Sequence, residues 1–162
     1  MKIDKRRRIE GKTNYLARKK LLQSEAPRVV FRKTNKYVTA QYVVSKEAQD
    51  SVKVGLSSKE LLKYGWPKES IGGLKSTTAA YFLGLLIGKK IIHEKLKHPI
   101  LDFGLIRAIH KNKLFAFIKG VKDSGIEVKC PEEAFPSEER IKGEHLKNKI
   151  NFKEIKLKIT GK

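Results

Sequence analysis

A single cysteine, Cys130, stands among 162 residues, so the chain can build neither an internal disulfide framework nor a cysteine-based zinc knuckle. Acidic residues are scarce as well: 17 Asp and Glu face 37 Lys and Arg, giving a net charge of +20 and a pI near 10.1. Long hydrophobic runs are missing. The most apolar stretch, Ala79–Ile87, is far short of a membrane span and runs into Lys89 and Lys90. No apolar leader opens the chain, because Met1 leads straight into Lys2, Lys5, Arg6, Arg7 and Arg8. His93, His98, His110 and His145 show no metal-ligand spacing among themselves. Asp102 is the only acid inside an expected core strand, whereas a metal-dependent nuclease needs several converging carboxylates. There is no Gly-x-Ser-x-Gly elbow. These gaps argue against enzymes and call for no cofactor. What remains is a basic domain, expected to be soluble and intracellular. It is long enough to bury a core, and its 40% apolar content makes wholesale disorder implausible. A charge of +20 opposes compactness and calls for an anionic partner: nucleic acid, an acidic membrane surface or an acidic protein.

The charge is concentrated at the start. Residues 1–20 carry nine Lys and Arg against Asp4 and Glu10, and residues 1–12 have so little to bury that they are expected to be unfolded in isolation. Thr13 is positioned to cap a helix through Gln23, with Leu16, Ala17, Leu21 and Leu22 as its buried stripe, and Pro27 to stop it. The period then becomes two. Arg28–Lys33, Tyr37–Val44 and Ser51–Leu56 read as three strands joined by short polar turns, an antiparallel meander. Val38, Ala40, Tyr42 and Val44 share one face of the second, and Val52, Val54 and Leu56 alternate in the third. Ser57–Glu60 fits a capping box for a short helix to about Lys63, and the Gly- and Pro-rich stretch Tyr64–Leu74 reads as a loop. A long buried helix is expected over 77–97, ended by Pro99. Its Gly84 and Gly88 cost helix propensity on one face, so something should pack close against them. Ile100–Leu105 then reads as a buried strand and Leu114–Ser124 as an amphipathic helix closed by Gly125. Ile126–Val128 reads as a short strand, and a last helix should run from Ser137 to about Lys149. In the basic tail 150–162, Ile155, Leu157 and Ile159 alternate with lysines.

The order β-β-β, then α-β-α-β, implies an α/β fold with a mixed sheet and helices packed on it. Three regions are expected: a basic arm with a short helix over 1–24, an α/β core domain over 25–130, and an acidic loop, helix and basic tail over 131–162.

Three constellations bear on function. Lys5, Arg6, Arg7, Arg8 and Lys12 form an electrostatic footprint for phosphates, although such a run also serves as a solubilising or localising tail. Just inside it, Tyr15 and Arg18 are of the types that stack on unpaired bases, which suits RNA more than duplex DNA; Tyr15 fits a core position equally. Arg32, Lys33, Thr34, Asn35 and Lys36 crowd one hairpin tip, which can touch phosphates and ribose hydroxyls or simply turn the chain. Gly72–Thr78 precedes a helix as a phosphate loop would. Leu74 stands where the mononucleotide motif needs Gly before Lys75, which excludes nucleotide hydrolysis. Lys75 and Ser76 are left as holders of a backbone phosphate or as a plain helix cap. A basic amphipathic membrane helix is not supported, since residues 1–12 offer only Met1, Ile3 and Ile9 as apolar groups.

Seven collinear strings carry a resemblance. They are Arg6–Tyr15 (RRRIEGKTNY), Pro27–Lys36 (PRVVFRKTNK), Lys63–Trp66 (KYGW), Ala79–Lys90 (AAYFLGLLIGKK), Leu101–Leu105 (LDFGL), Lys113–Gly125 (KLFAFIKGVKDSG) and Glu138–His145 (EERIKGEH). Together they resemble the archaeal-type members of the universal large-subunit ribosomal protein family that binds 5S ribosomal RNA, the eighteenth in bacterial and archaeal naming and the fifth in eukaryotic. The resemblance spans about residues 5–146. It implies a ribonuclease-H-like sandwich without a catalytic centre, in the cytoplasm as part of the ribosome. The implied role is structural: fastening 5S rRNA to large-subunit rRNA in the central protuberance, beside neighbouring large-subunit proteins that include the other 5S-binding protein. By the same resemblance Arg6, Arg7, Arg8, Lys12, Thr13 and Tyr15 of the arm, and Arg32, Thr34, Asn35 and Lys36 of the hairpin, should lie on RNA. Lys75-Ser76 stands where the family more often has Gly-Asn, and the tail from Asn148 onward matches no family feature. The alternative reading is another structured-RNA-binding protein without catalytic activity.

Overall fold

The computed structural model describes residues 4–47, 49–146 and 150–161. A four-stranded sheet lies at its centre: β1 (Arg28–Lys33), β2 (Val38–Lys46), β3 (Gln49–Ser57) and β4 (Ile100–Asp102), in spatial order β3-β2-β1-β4. The first three strands form the expected antiparallel meander, and β4 adds to β1 in parallel, with Val30 opposite Asp102. The α/β class and the mixed sheet therefore hold. A bulge changes the register of β2 against β3. Tyr42 pairs with Val54 and Val43 with Val52, which leaves Lys53 as the extra residue. This corrects the simple alternation: Val43 is buried on the far face, while Val52 is half exposed.

Among the described residues six α-helices accompany the sheet: α1 (Arg6–Ile9), α2 (Tyr15–Gln23), α3 (Thr77–His93), α4 (Lys113–Asp123), α5 (Glu138–Lys142) and α6 (Phe152–Thr160). The core forms where α3 and α4 cover the sheet face that carries Val29, Phe31, Ala40 and Tyr42. Gly84 and Gly120 let the two helix backbones touch, and Gly88 makes room for the Ser124 side chain at the end of α4. A Cβ on Gly84 would collide with the Phe117 carbonyl and lie 3.1 Å from the Val121 nitrogen; one on Gly120 would lie 2.9 Å from the Leu85 nitrogen. The close approach expected from the two glycines is thus α4. These contacts advance together along both helices, so α3 and α4 run parallel and begin side by side. Tyr81 ties them by donating its hydroxyl hydrogen to Asp123 (2.8 Å), and burial, followed by that bond, pushes the phenol pKa up.

Several boundaries differ from the expected ones. Arm residues Arg6–Ile9 form one helical turn rather than an unfolded stretch, held by the i,i+4 pairs Asp4–Arg8 (3.3 Å) and Arg6–Glu10 (2.9 Å). Asn14, not Thr13, caps α2, accepting from the Ala17 amide at 3.1 Å. Leu16 of its expected buried stripe is 67% exposed. The capping box at Ser57–Glu60 is present, opening a 3-10 helix over Ser58–Tyr64. The expected loop contains a second one, Lys68–Lys75. Helix α3 stops at His93 rather than at 97, because Lys95 turns left-handed (φ +51°) and the Leu96 amide folds back onto the Ile91 carbonyl. β4 ends at Asp102, short of Leu105, and Ile126–Val128 forms no strand; His98 Nε2 hydrogen-bonds the Glu127 carbonyl at 2.7 Å instead. Gly143, at φ +78°, ends α5 well before 149, and residues 147–149 lie outside the described ones. The alternating tail is helical: Ile155 and Ile159, four apart, enter the core, and Leu157 faces solvent. Among the described residues no single helix is long and apolar enough to cross a membrane.

Candidate nucleic-acid interface

The sheet face turned away from α3 and α4 carries charge. Side chains two apart on a strand share a face, so Arg28 and Arg32 flank Val30 on β1, and Asp102, opposite Val30, sits between them. Arg28 donates to Asp102 (3.4 Å) and to Asp50 (2.8 Å), and Arg18 of α2 donates to the other Asp50 oxygen (3.1 Å). Arg32 donates to Asp102 (3.4 Å) and to the carbonyls of Phe31 (2.8 Å) and Asp102 (3.0 Å). The chain of alternating charge Arg18–Asp50–Arg28–Asp102–Arg32 thus fastens α2 and β4 to β1. At its centre Arg28 is 2% exposed, with a hydrogen bond to Ser45 (2.8 Å) as well. Burial acts to raise the Asp50 pKa, but the Ser45 hydrogen bond and the charges of Arg28 and Arg18 outweigh it and hold the carboxyl below its ordinary value.

Above this network lies the arm. Arg7 donates Nε–H to the Thr13 hydroxyl (2.9 Å), Lys12 pairs with Glu10 (2.7 Å), and the Lys5 ammonium sits 4.7 Å from the centre of the Tyr15 ring. The cation on its ring makes Tyr15 part of the arm's own packing. Between the arm with α2 on one side and β4 with residues 103–106 on the other is a cavity of about 330 Å³. Arg7, Lys12, Arg18 and Arg32 all line it, as does Thr13. The structure therefore brings together five of the residues singled out from sequence, drawn from three separate segments.

The hairpin tip is arranged differently. Thr34 closes the turn, its hydroxyl accepting from the Tyr37 amide (3.0 Å) and donating to the Tyr37 carbonyl (2.9 Å). Arg32 turns back to Asp102, leaving Asn35 and Lys36 exposed at the tip. Ser76 is a helix cap, accepting from the Ala79 amide at 3.2 Å. Lys75 beside it is exposed and belongs to a second cationic region. Burial, then the charges of Lys33 and Lys75, lower the pKa of Lys113 at the start of α4. Arg6 and Arg8 pair with Glu10 and Asp4 and do not line the cavity. Arg28, Asp50 and Lys113 were missed from sequence. Arg28 was legible only as a charge at the start of an expected strand and Lys113 only as one in the basic loop before an expected helix, and the partners of Arg28 lie 22 and 74 residues away. Among the described residues no group of three or more His, Cys, Asp or Glu side chains is placed to hold a metal ion.

A basic α/β domain with its cations gathered about the arm and the strand and helix ends belongs with proteins that assemble on polyanions, and comparison with known proteins makes the class specific. The family of large-subunit ribosomal proteins described as 60S L5 and 50S L18 matches residues 1–99. The chain is 44% identical over 146 residues to large ribosomal subunit protein uL18 of Caldivirga maquilingensis, covering 90% of this chain and 69% of that protein. It is 43% identical over 145 residues to uL18 of Korarchaeum cryptofilum, covering 90% and 72%. Against uL18 of Methanoregula boonei it is 42% identical over 141 residues, covering 87% and 79%. The chain belongs to the uL18 family of large-subunit ribosomal proteins.

Proposed function

We propose that this chain is a non-catalytic constituent of the large ribosomal subunit in the cytoplasm, binding 5S rRNA and attaching it to large-subunit rRNA in the central protuberance. Its protein neighbours there include the other 5S-binding protein. The observation that carries this is the cavity where Arg7, Lys12, Arg18 and Arg32 converge from the arm, α2 and β1, on a chain of net charge +20. Lys5, Arg6, Arg8 and Tyr15 extend that surface along the arm. Asn35 and Lys36 of the hairpin, with Thr34 shaping the turn, and Lys75 with Ser76 at the start of α3 provide further phosphate contacts. Affinity comes from phosphate neutralisation over this broad surface, and selectivity from RNA shape and unstacked bases.

The test is a titration of the full chain with 5S rRNA and with an unrelated folded RNA of similar length across a range of salt. With six or more phosphates neutralised, affinity for 5S rRNA should fall about a thousandfold or more between roughly 50 and 200 mM salt. At any one salt it should exceed that for the unrelated RNA. Equal affinity for both would point to a general structured-RNA binder, and a flat salt dependence would end the reading altogether.

A further inference from the structure

The cavity at the arm has walls of two kinds. Its rim is cationic, as described, whereas its floor combines the apolar side chains of Leu21, Leu101 and Phe103 with the buried Asp102 carboxylate, already paired with Arg28 and Arg32. Phosphates need the rim and have no use for the floor. We propose that the cavity receives one unstacked RNA base, with the flanking phosphates held on the rim cations; this rests on the RNA-binding reading above.

Three features favour a base. The volume, about 330 Å³, lies at the lower end of the ~300–1,000 Å³ range of small-molecule sites. The flat groups at the site are held in place. Phe103 packs edge-on against Phe31, with centroids 6.5 Å apart, and the Arg32 guanidinium is anchored to two carbonyls and the Asp102 carboxylate. Gly104 lays its backbone against one face of that plate: at φ +59° it takes a conformation unfavourable to other residues, and a Cβ there would lie 3.1 Å from Arg32 Cζ, so a base meets the guanidinium on its other face. Nor does the chain fill the cavity itself. Ile9 of the arm and Leu16 of α2 do not line it and are 72% and 67% exposed. A preformed aromatic and guanidinium pair beside a mainly apolar floor is the arrangement that stacks a base released from its helix.

Ala17 lines the cavity from the exposed side of α2, so Ala17→Trp fills it without removing a cation. The variant should bind 5S rRNA about tenfold or more weakly, with the melting temperature and the salt slope unchanged. Ala17→Ser, which leaves the space open, should bind like the wild type. One base shielded from a base-methylating reagent in the wild-type complex should become reactive in the Ala17→Trp complex. Wild-type affinity with the same protection pattern would overturn the proposal, as would a weakened complex whose salt slope drops, since that means lost phosphates rather than a displaced base. If the wild-type chain itself shows no preference for 5S rRNA, the RNA-binding reading fails first, and the base site falls with it.

Discussion

The contact between α3 and α4 and the contact between the arm and the sheet use opposite chemistry. The first is dry and backbone-close: three glycines remove side chains so that two helices can touch, and the surrounding core is apolar. The second is made of charges, and these differ in how far they can be exchanged. Arg6 and Lys12 are well exposed and share Glu10, so a phosphate can replace that carboxylate at little cost. Arg28 is sealed between Asp50 and Asp102, where losing either carboxylate leaves a buried charge with half of its compensation. Fold stability thus resides in the helix contact and in the inner half of the charge chain, and the outer half is left free to change partners. Each variant below tests where that boundary lies.

The largest loss of stability should follow Asp102→Ala. It leaves Arg28 without its partner on β4 and frees the clamp on Arg32. Breaking a buried ion pair from one side costs about 3–5 kcal/mol, so the denaturant midpoint should fall by a large part of the total stability. A loss under about 1 kcal/mol would mean that water reaches Arg28 and that the inner charges are as exchangeable as the outer ones.

Gly84→Leu should come next, at the upper end of about 1–3 kcal/mol, because the opposing atoms are backbone and cannot move aside. RNA affinity per folded molecule should not change. If Gly84→Leu instead melts like the wild type yet loses RNA, this helix face is a binding surface and the comparison is drawn in the wrong place.

Both of these sites show what a sequence can and cannot reveal. The glycine contact was legible, since Gly84 and Gly88 weaken a helix that is otherwise apolar all round, and only a close neighbour explains them. That α4 is the neighbour, and parallel, needed the fold. The charge chain was not legible, because it joins α2, β1, the start of β3 and β4 through register, and register is lost to view when one bulge at Lys53 shifts β3. The tail misled for a simpler reason. Ile155, Leu157 and Ile159 satisfy a period of two and, through the first and last, a period near four, and burial of Ile155 and Ile159 alone settled the choice. On the candidate site, sequence found the cations but not their commitments: Arg32 and Thr34 are held by the protein itself, and Thr13 bonds Arg7 instead of capping a helix.

A smaller effect should appear with pH. The Asp50 carboxyl is held below its ordinary value of 3.8, so its contribution is fully present above that value and is lost as pH falls through the lower, folded value. Comparing wild type with Asp50→Asn from about pH 7 to about pH 3, the wild-type advantage should be constant at first and shrink only in the acidic part of the range. An advantage that grows on acidification would reverse the sign and remove Asp50 from the fastening of α2.

The smallest effect on stability should come from the outermost charges, and there the comparison is sharpest. Arg7→Ala combined with Arg8→Ala removes a hydrogen bond to Thr13 and an exposed pair with Asp4. No residue of α1 is buried, so nothing leaves the core, and surface substitutions of this kind stay within about 0.5 kcal/mol. The same double variant withdraws two cations from the surface proposed to bind RNA, one of them on the cavity rim. Affinity for 5S rRNA should drop, and the slope of log affinity against log salt should become shallower by up to about two counterions. Denaturation and RNA titration of one preparation read both quantities together. Stability lost along with affinity would show that the arm is structural, and affinity retained with stability intact would show that Arg7 and Arg8 face away from the RNA.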